Sequence, residues 1–115
     1  MIYILYGQPA SGKTVLGRRL ASSLLTTYHI DGDEFRAMFS NKNYGKEGRE
    51  ENIKAANAVA TYLNKTQEGD VVLTLVNPYE RLRRELKENN NGQVLEILLT
   101  STRDLRKNYH VEDFE

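Results

Sequence analysis

Eight consecutive residues, Gly7-Gln8-Pro9-Ala10-Ser11-Gly12-Lys13-Thr14, bring together the residue types that hold a polyphosphate. Glycines at the first and sixth positions let the backbone curl until its N–H groups point into one ring, where an anion meets several donors at once. Lys13 stands where a cation reaches the β- and γ-phosphates, and the Thr14 hydroxyl where it ligates the Mg²⁺ that bridges them. Gly7, Ala10, Ser11, Gly12, Lys13 and Thr14 are therefore the expected phosphate-binding set, with Thr14 also a metal ligand.

Such a loop needs a strand in front and a helix behind, whose dipole adds positive potential. The apolar run Met1 to Tyr6 supplies the strand, and Val15 to Leu25 reads as the helix, with Leu16, Leu20 and Leu24 beside Ala21 as the stripe that covers a sheet. Tyr28-His29-Ile30 reads as a short second strand ending at Asp31-Gly32-Asp33-Glu34. In a parallel sheet the carboxyl ends of the strands face the ligand crevice, so Asp31 and Asp33 are expected beside the phosphate loop, near the metal. The bland alternative is that Asp33 caps a short helix, Glu34 to Phe39, and the two roles are compatible.

Residues 40–48 form a polar loop expected to lie over the crevice, with Tyr44 its only aromatic residue. A helix is predicted from about Arg49 to Lys65, burying Ile53, Ala56, Ala60 and Leu63. Arg49 and Asn52 share its first turn, and an arginine there opposes the helix dipole. That misfit suggests an anionic ligand, with a solvated arginine as the alternative. Val71 to Val76 is the candidate centre of the sheet, followed by Asn77 as an N-cap and Pro78 at the first position of a helix that buries Tyr79, Leu82 and Leu86. Arg81, Arg83, Arg84 and Lys87 fall on its other faces and are expected mostly in solvent. After a turn at 89–92, Val94 to Leu99 is another strand, and residues 100–106 suggest a capped turn carrying Arg103 and Arg106. His29 and His110 are isolated, and neither is assigned a metal.

This order predicts an α/β protein with the three-layer P-loop nucleoside-triphosphate hydrolase fold: one domain, residues 1–115, with a parallel sheet and helices on both faces. Sixteen basic residues balance sixteen acidic ones, so no polybasic surface for nucleic acid or membrane is expected. There is no cysteine, hence no disulfide and no thiolate nucleophile. No run approaches the ~20 apolar residues of a membrane span, and a cytoplasmic protein is expected.

Kinases, GTPases and motor ATPases share this loop. Asn64-Lys65-Thr66-Gln67 lacks the aspartate of a guanine-reading Asn-Lys-x-Asp, and the central strand ends in Asn77-Pro78 rather than in the acids of a motor. Carboxylates at the end of the second strand suit small-molecule kinases. Here the chain resembles the adenylylsulfate kinases, which transfer the γ-phosphate of ATP to the 3′-hydroxyl of adenosine 5′-phosphosulfate. Asp31-Gly32-Asp33-Glu34-Phe35-Arg36 is similar to the family's Asp-Gly-Asp-Asn-x-Arg, and Arg49-Glu50-Glu51-Asn52-Ile53-Lys54 to its Arg-x-Glu-Asn-Ile-Arg. Asn77-Pro78-Tyr79 with Arg83 resembles its Ser-Pro-Tyr and following arginine, and Glu96-Ile97-Leu98-Leu99 its Glu-Val-Phe-Val strand.

The resemblance implies ATP and Mg²⁺ as cofactors. It casts Lys13 and Asp33 as catalytic: Asp33 orients or deprotonates the acceptor hydroxyl and helps hold Mg²⁺ through water. Asp31, Arg36, Tyr44, Arg49, Asn52, Pro78 and Arg83 are then the acceptor-side residues, with Tyr44 where the family stacks a phenylalanine on adenine, and Arg103 and Arg106 fall to a nucleotide lid. Ala10, Glu34, Gly48 and Asn77 depart from the family's usual residues, and the part after the fourth strand is abbreviated. The expectation is either a minimal kinase, with a homodimer covering the open sheet edge, or a truncated chain. Two further readings stand beside it: a kinase for another nucleotide, sugar or modified base, and a nucleotide-binding module without catalysis.

Overall fold

The computed structural model describes residues 1–8, 12–100 and 114–115. Among the described residues four strands form one parallel sheet: β1 (Ile2–Gly7), β2 (His29–Asp31), β3 (Val71–Leu75) and β4 (Val94–Leu99), in the spatial order β2-β3-β1-β4. Four helices connect them: α1 (Lys13–Ser23), α2 (Gly32–Met38), α3 (Lys46–Thr66) and α4 (Glu80–Asn89). The expected α/β architecture is what the chain adopts.

Strand alternation divides the core in two. Ile2 and Ile4 of β1 with Val71, Leu73 and Leu75 of β3 face α3 and α4, where Ile53, Ala56, Ala60, Leu82 and Leu86 complete the larger cluster. Leu5 and Val72 point the other way, onto Ala21 of α1 with Leu20 and Leu24 beside it. Register ties the inner pair together, Ile2 opposite Val71 through Tyr6 opposite Leu75, so β1 and β3 present their carboxyl ends at one level. Those ends lead into the phosphate loop and the 76–79 connection, which sets the crevice where strand order changes.

Several expectations shift. Leu16 is 42% exposed, and the sheet-facing position is Gly17, one residue round the helix. A β-carbon built at Gly17 meets Thr74 Cγ2 at 2.3 Å, so α1 lies closer to β3 than any side-chain-bearing residue there would permit. The second helix starts at Gly32 and its N-cap is Asp31, not Asp33, because Asp31 is the extended residue whose carboxylate can reach back to the Glu34 N–H. The third helix opens at Lys46 with Glu47 in its first turn, so Arg49 does not begin it and the expected misfit with the helix dipole is not present there. Asn77 is not the cap of α4: that helix begins at Glu80, whose N–H donates to the Glu115 side-chain carboxylate at 3.1 Å. Asn77 is instead buried, and neither atom of its side-chain amide has a hydrogen-bond partner.

Candidate nucleotide and acceptor site

Gly7 ends β1 as a buried residue, and Gly12 precedes α1 at φ 87° and ψ 15°. That left-handed conformation turns the loop into the helix and favours glycine for its lack of a β-carbon. Ala10 and Ser11, together with Pro9, lie outside the described residues, as do Arg103 and Arg106. Lys13 folds back over the loop and its Nζ donates to the Gln8 carbonyl at 3.0 Å. Burial pushes the Lys13 ammonium below the usual lysine range, while the negative charges of Asp33, then Asp31, act against that shift. Both carboxylates of the Asp31-Gly32-Asp33 turn therefore lie within electrostatic reach of the loop lysine.

Asp31 is the hub. Its Oδ1 accepts from the Thr14 hydroxyl at 2.8 Å and from the Thr74 hydroxyl at 2.9 Å, while Oδ2 accepts the Glu34 N–H at 3.3 Å. Behind Thr74 stands His29, with Nε2 2.9 Å from the Thr74 hydroxyl. Burial lowers the His29 pKa, opposed first by Asp31 and then Glu34, with Arg18 adding to the lowering. Asp33, the second residue of α2, is exposed.

The expected acceptor-side residues lie on α2, α3 and the segment between them. Arg36 donates to the Asn43 carbonyl at 2.9 Å, with its guanidinium carbon 4.7 Å from the centre of the Tyr44 ring. Arg49 donates to the Tyr79 hydroxyl at 2.8 Å and to the Tyr44 carbonyl at 3.2 Å. Two arginines from different helices thus converge on the Asn43-Tyr44 dipeptide. Tyr44 itself is 71% exposed. Asn52 is buried and its amide nitrogen donates to the Gly32 carbonyl at 3.3 Å, clamping α3 to the start of α2.

Arg83 departs furthest from a solvent-facing cation. It is 5% exposed, donating to the Asn77 and Glu115 carbonyl oxygens, both at 2.5 Å, with its guanidinium carbon 4.5 Å from the centre of the Tyr6 ring. Pro78 is buried beside it and its carbonyl accepts the Glu115 N–H. The contacts of Arg83 and Pro78 are thus internal ones that hold the β3–α4 connection. Arg81, Arg84 and Lys87 lie nearer the surface of α4, with Arg81 paired to Glu50 and Lys87 to Glu96.

The sequence marks His29 only as an isolated histidine and gives Thr74 no role. The available signal was one hydroxyl inside Val71-Val72-Leu73-Thr74-Leu75-Val76: a strand covered on both faces leaves no water for a polar side chain, which must then find a partner.

The family profile described as adenylylsulphate kinase matches residues 1–112. The chain belongs to the adenylylsulphate kinase family. Among solved structures, the adenylylsulphate kinase CysC of Mycobacterium tuberculosis, in complex with AMPPNP and APS, superposes with a TM-score of 0.75 at 23% identity, over 92% of this chain and 64% of that one. The protein APE1195 gives 0.71 at 28% identity, over 89% and 61%. A gluconokinase from Sinorhizobium meliloti 1021 gives 0.66 at 18% identity, over 96% and 67%. This member of the family thus spans less than two thirds of the length of APE1195 and of the CysC kinase. No curated protein sequence matches the chain at a significant level. No helix among the described residues is long and apolar enough to cross a membrane.

Proposed function

We propose that the chain is an ATP-dependent kinase that transfers the γ-phosphoryl group to the 3′-hydroxyl of adenosine 5′-phosphosulfate. The observation that supports this reading is the contact between the phosphate-loop end of α1 and the Asp31-Gly32-Asp33 turn: Thr14 is bonded to Asp31, and Lys13 lies in the field of Asp33 and Asp31. Family membership supports the choice of acceptor.

Phosphoryl transfer needs alignment and charge stabilisation more than covalent help. Lys13 supplies the cation on the donor side. Its depressed pKa reflects the cost of a buried charge, and a polyphosphate beside it would relieve that cost. Asp33 is placed to orient or deprotonate the acceptor hydroxyl. Arg36, Arg49 and Asn52 would hold the acceptor's anionic groups and ribose, with the Tyr44 ring beside its base. A guanidinium carries five N–H donors, more than the carbonyl and hydroxyl contacts of Arg36 and Arg49 consume.

The residues fit Mg²⁺ brought in with the nucleotide. Among the described residues no cluster of three or more His, Cys, Asp or Glu could hold a metal alone, and Mg²⁺ in phosphate sites takes only one or two protein groups beside phosphate and water. Thr14 would be the direct protein ligand and Asp33 a partner through water, with Asp31 holding the Thr14 hydroxyl. When bound, Mg²⁺ neutralises charge on the bridged β- and γ-phosphates.

The test is an acceptor panel of nucleotides, sugars and modified bases with labelled ATP and Mg²⁺. Adenosine 5′-phosphosulfate is expected to become its 3′-phosphorylated form, and Lys13→Ala to abolish the transfer. Faster transfer to another acceptor, or nucleotide binding with no transfer to any, would overturn the reading.

A further inference from the structure

The chain behind Asp31 has a direction. An ionised carboxylate only accepts hydrogen bonds, so the single hydroxyl proton of Thr74, 2.9 Å from Asp31 Oδ1, is donated forward. The Ile30 carbonyl, at 3.5 Å, is the poorer alternative for that proton. The lone pairs of Thr74 then remain for His29, whose Nε2 at 2.9 Å must carry the hydrogen. On the far side, Thr14 also gives its one proton to Oδ1, which leaves its own lone pairs for a cation. The order is His29 to Thr74 to Asp31, met from the other side by Thr14.

We propose that Thr74 is a positioning residue for metal-dependent nucleotide binding: its hydroxyl, anchored by His29, fixes Asp31 Oδ1 so that Thr14 turns its lone pairs toward Mg²⁺. The inference rests on the reading of Thr14 as a metal ligand. Three donors converge on Asp31, and the Glu34 N–H is held by α2 itself, so Thr74 is the one side chain that fixes Oδ1 from inside the sheet. Thr74 is 1% exposed in a strand with strand neighbours on both sides, the most rigid place the fold offers such a group. Room for the arrangement is made in sequence: a β-carbon at Gly17 would strike Thr74 Cγ2 at 2.3 Å and His29 Nε2 at 3.0 Å. Positions 17, 29 and 74 are thus committed to one contact.

A buried threonine that merely satisfied its own hydroxyl would affect stability and not the metal. The experiment therefore measures ATP affinity by calorimetry with and without Mg²⁺, in the absence of any acceptor, for the full chain and for Thr74→Val, Thr74→Ser, His29→Leu and His29→Gln. Thr74→Val keeps the shape and removes the donor. It is expected to lose about tenfold of the Mg²⁺-dependent gain in ATP affinity, the scale of one hydrogen bond to a charged group, with metal-free affinity unchanged. Thr74→Ser restores the gain, His29→Leu loses about threefold, on the scale of a neutral hydrogen bond, and His29→Gln recovers it by offering an N–H. Should Thr74→Val not fold, the histidine pair decides by the same readout. A full Mg²⁺ gain in Thr74→Val, or in His29→Leu, overturns the inference alone, as does a Thr74→Ser chain that fails as Thr74→Val does. Absence of any Mg²⁺ gain in the unmodified chain overturns the metal reading as well. None of these outcomes depends on the acceptor.

Discussion

Replacing Gly17 by alanine sets two effects of opposite sign against each other. In an ordinary helix interior the change stabilises by about 1 kcal/mol, because alanine loses less backbone freedom on folding. In α1 the new methyl carbon would stand 2.3 Å from Thr74 Cγ2, 3.0 Å from His29 Nε2 and 3.2 Å from His29 Cε1. Carbon atoms rest about 3.5–4.0 Å apart, so helix and strand must separate by more than about 1 Å, or Thr74 must rotate. Rotation is costly, since it takes the hydroxyl off Asp31 and His29. Separation opens the smaller core, where Ala21 packs with Leu5 and Val72. Overpacking of this kind costs about 1–3 kcal/mol, and with the helix gain subtracted Gly17→Ala should lose up to about 2 kcal/mol. For a chain of this size each kcal/mol lowers Tm by about 4 °C, so a fall of up to about 8 °C is expected by circular dichroism. An alanine variant melting at or above the unmodified protein would show that α1 does not pack tightly on β3, and would refute the role assigned to Thr74.

Two further outcomes follow from the site. Because burial depresses the Lys13 pKa and a bound triphosphate would raise it again, ATP affinity should be highest below that depressed value and fall as pH rises through it; calorimetry across alkaline pH checks this, and Lys13→Met should remove the slope. The unfolded chain binds the Lys13 proton more tightly than the folded one, so between the depressed and the ordinary lysine value this residue makes stability rise with pH. Tyr79→Phe removes the hydroxyl that Arg49 holds at 2.8 Å, and is expected to raise the acceptor KM about threefold to tenfold with little change in kcat, measured by steady-state transfer kinetics.

The strands and the phosphate loop were legible because each rests on a local pattern. Val71 to Leu75 announces a strand buried on both faces, and the spacing of Gly7, Gly12, Lys13 and Thr14 needs no tertiary information. What escaped was decided by contacts between elements. The apolar stripe of α1 placed Leu20, Ala21 and Leu24 against the sheet and failed only at Leu16, since leucines signal burial and a glycine does not, yet Gly17 is where the helix touches the sheet. A count of acids could not separate Asp31 from Asp33. Backbone geometry makes the first a cap and a hub while the second stays exposed. Arg83 looked like a surface cation because its helix is rich in them, and only the packing of Tyr6 and Glu115 shows it enclosed.

A single carboxylate serves two helices: one oxygen of Asp31 takes the Thr14 hydroxyl at the root of α1, and the other takes the N–H that starts α2. If a ligand at Thr14 shifts Asp31, the start of α2 and with it Arg36 would feel the change, and a ligand held by Arg36 would bias Thr14 by the same free energy. Donor and acceptor would then not load as strangers. Each would find its half of the site already adjusted by the other, with one aspartate as the link.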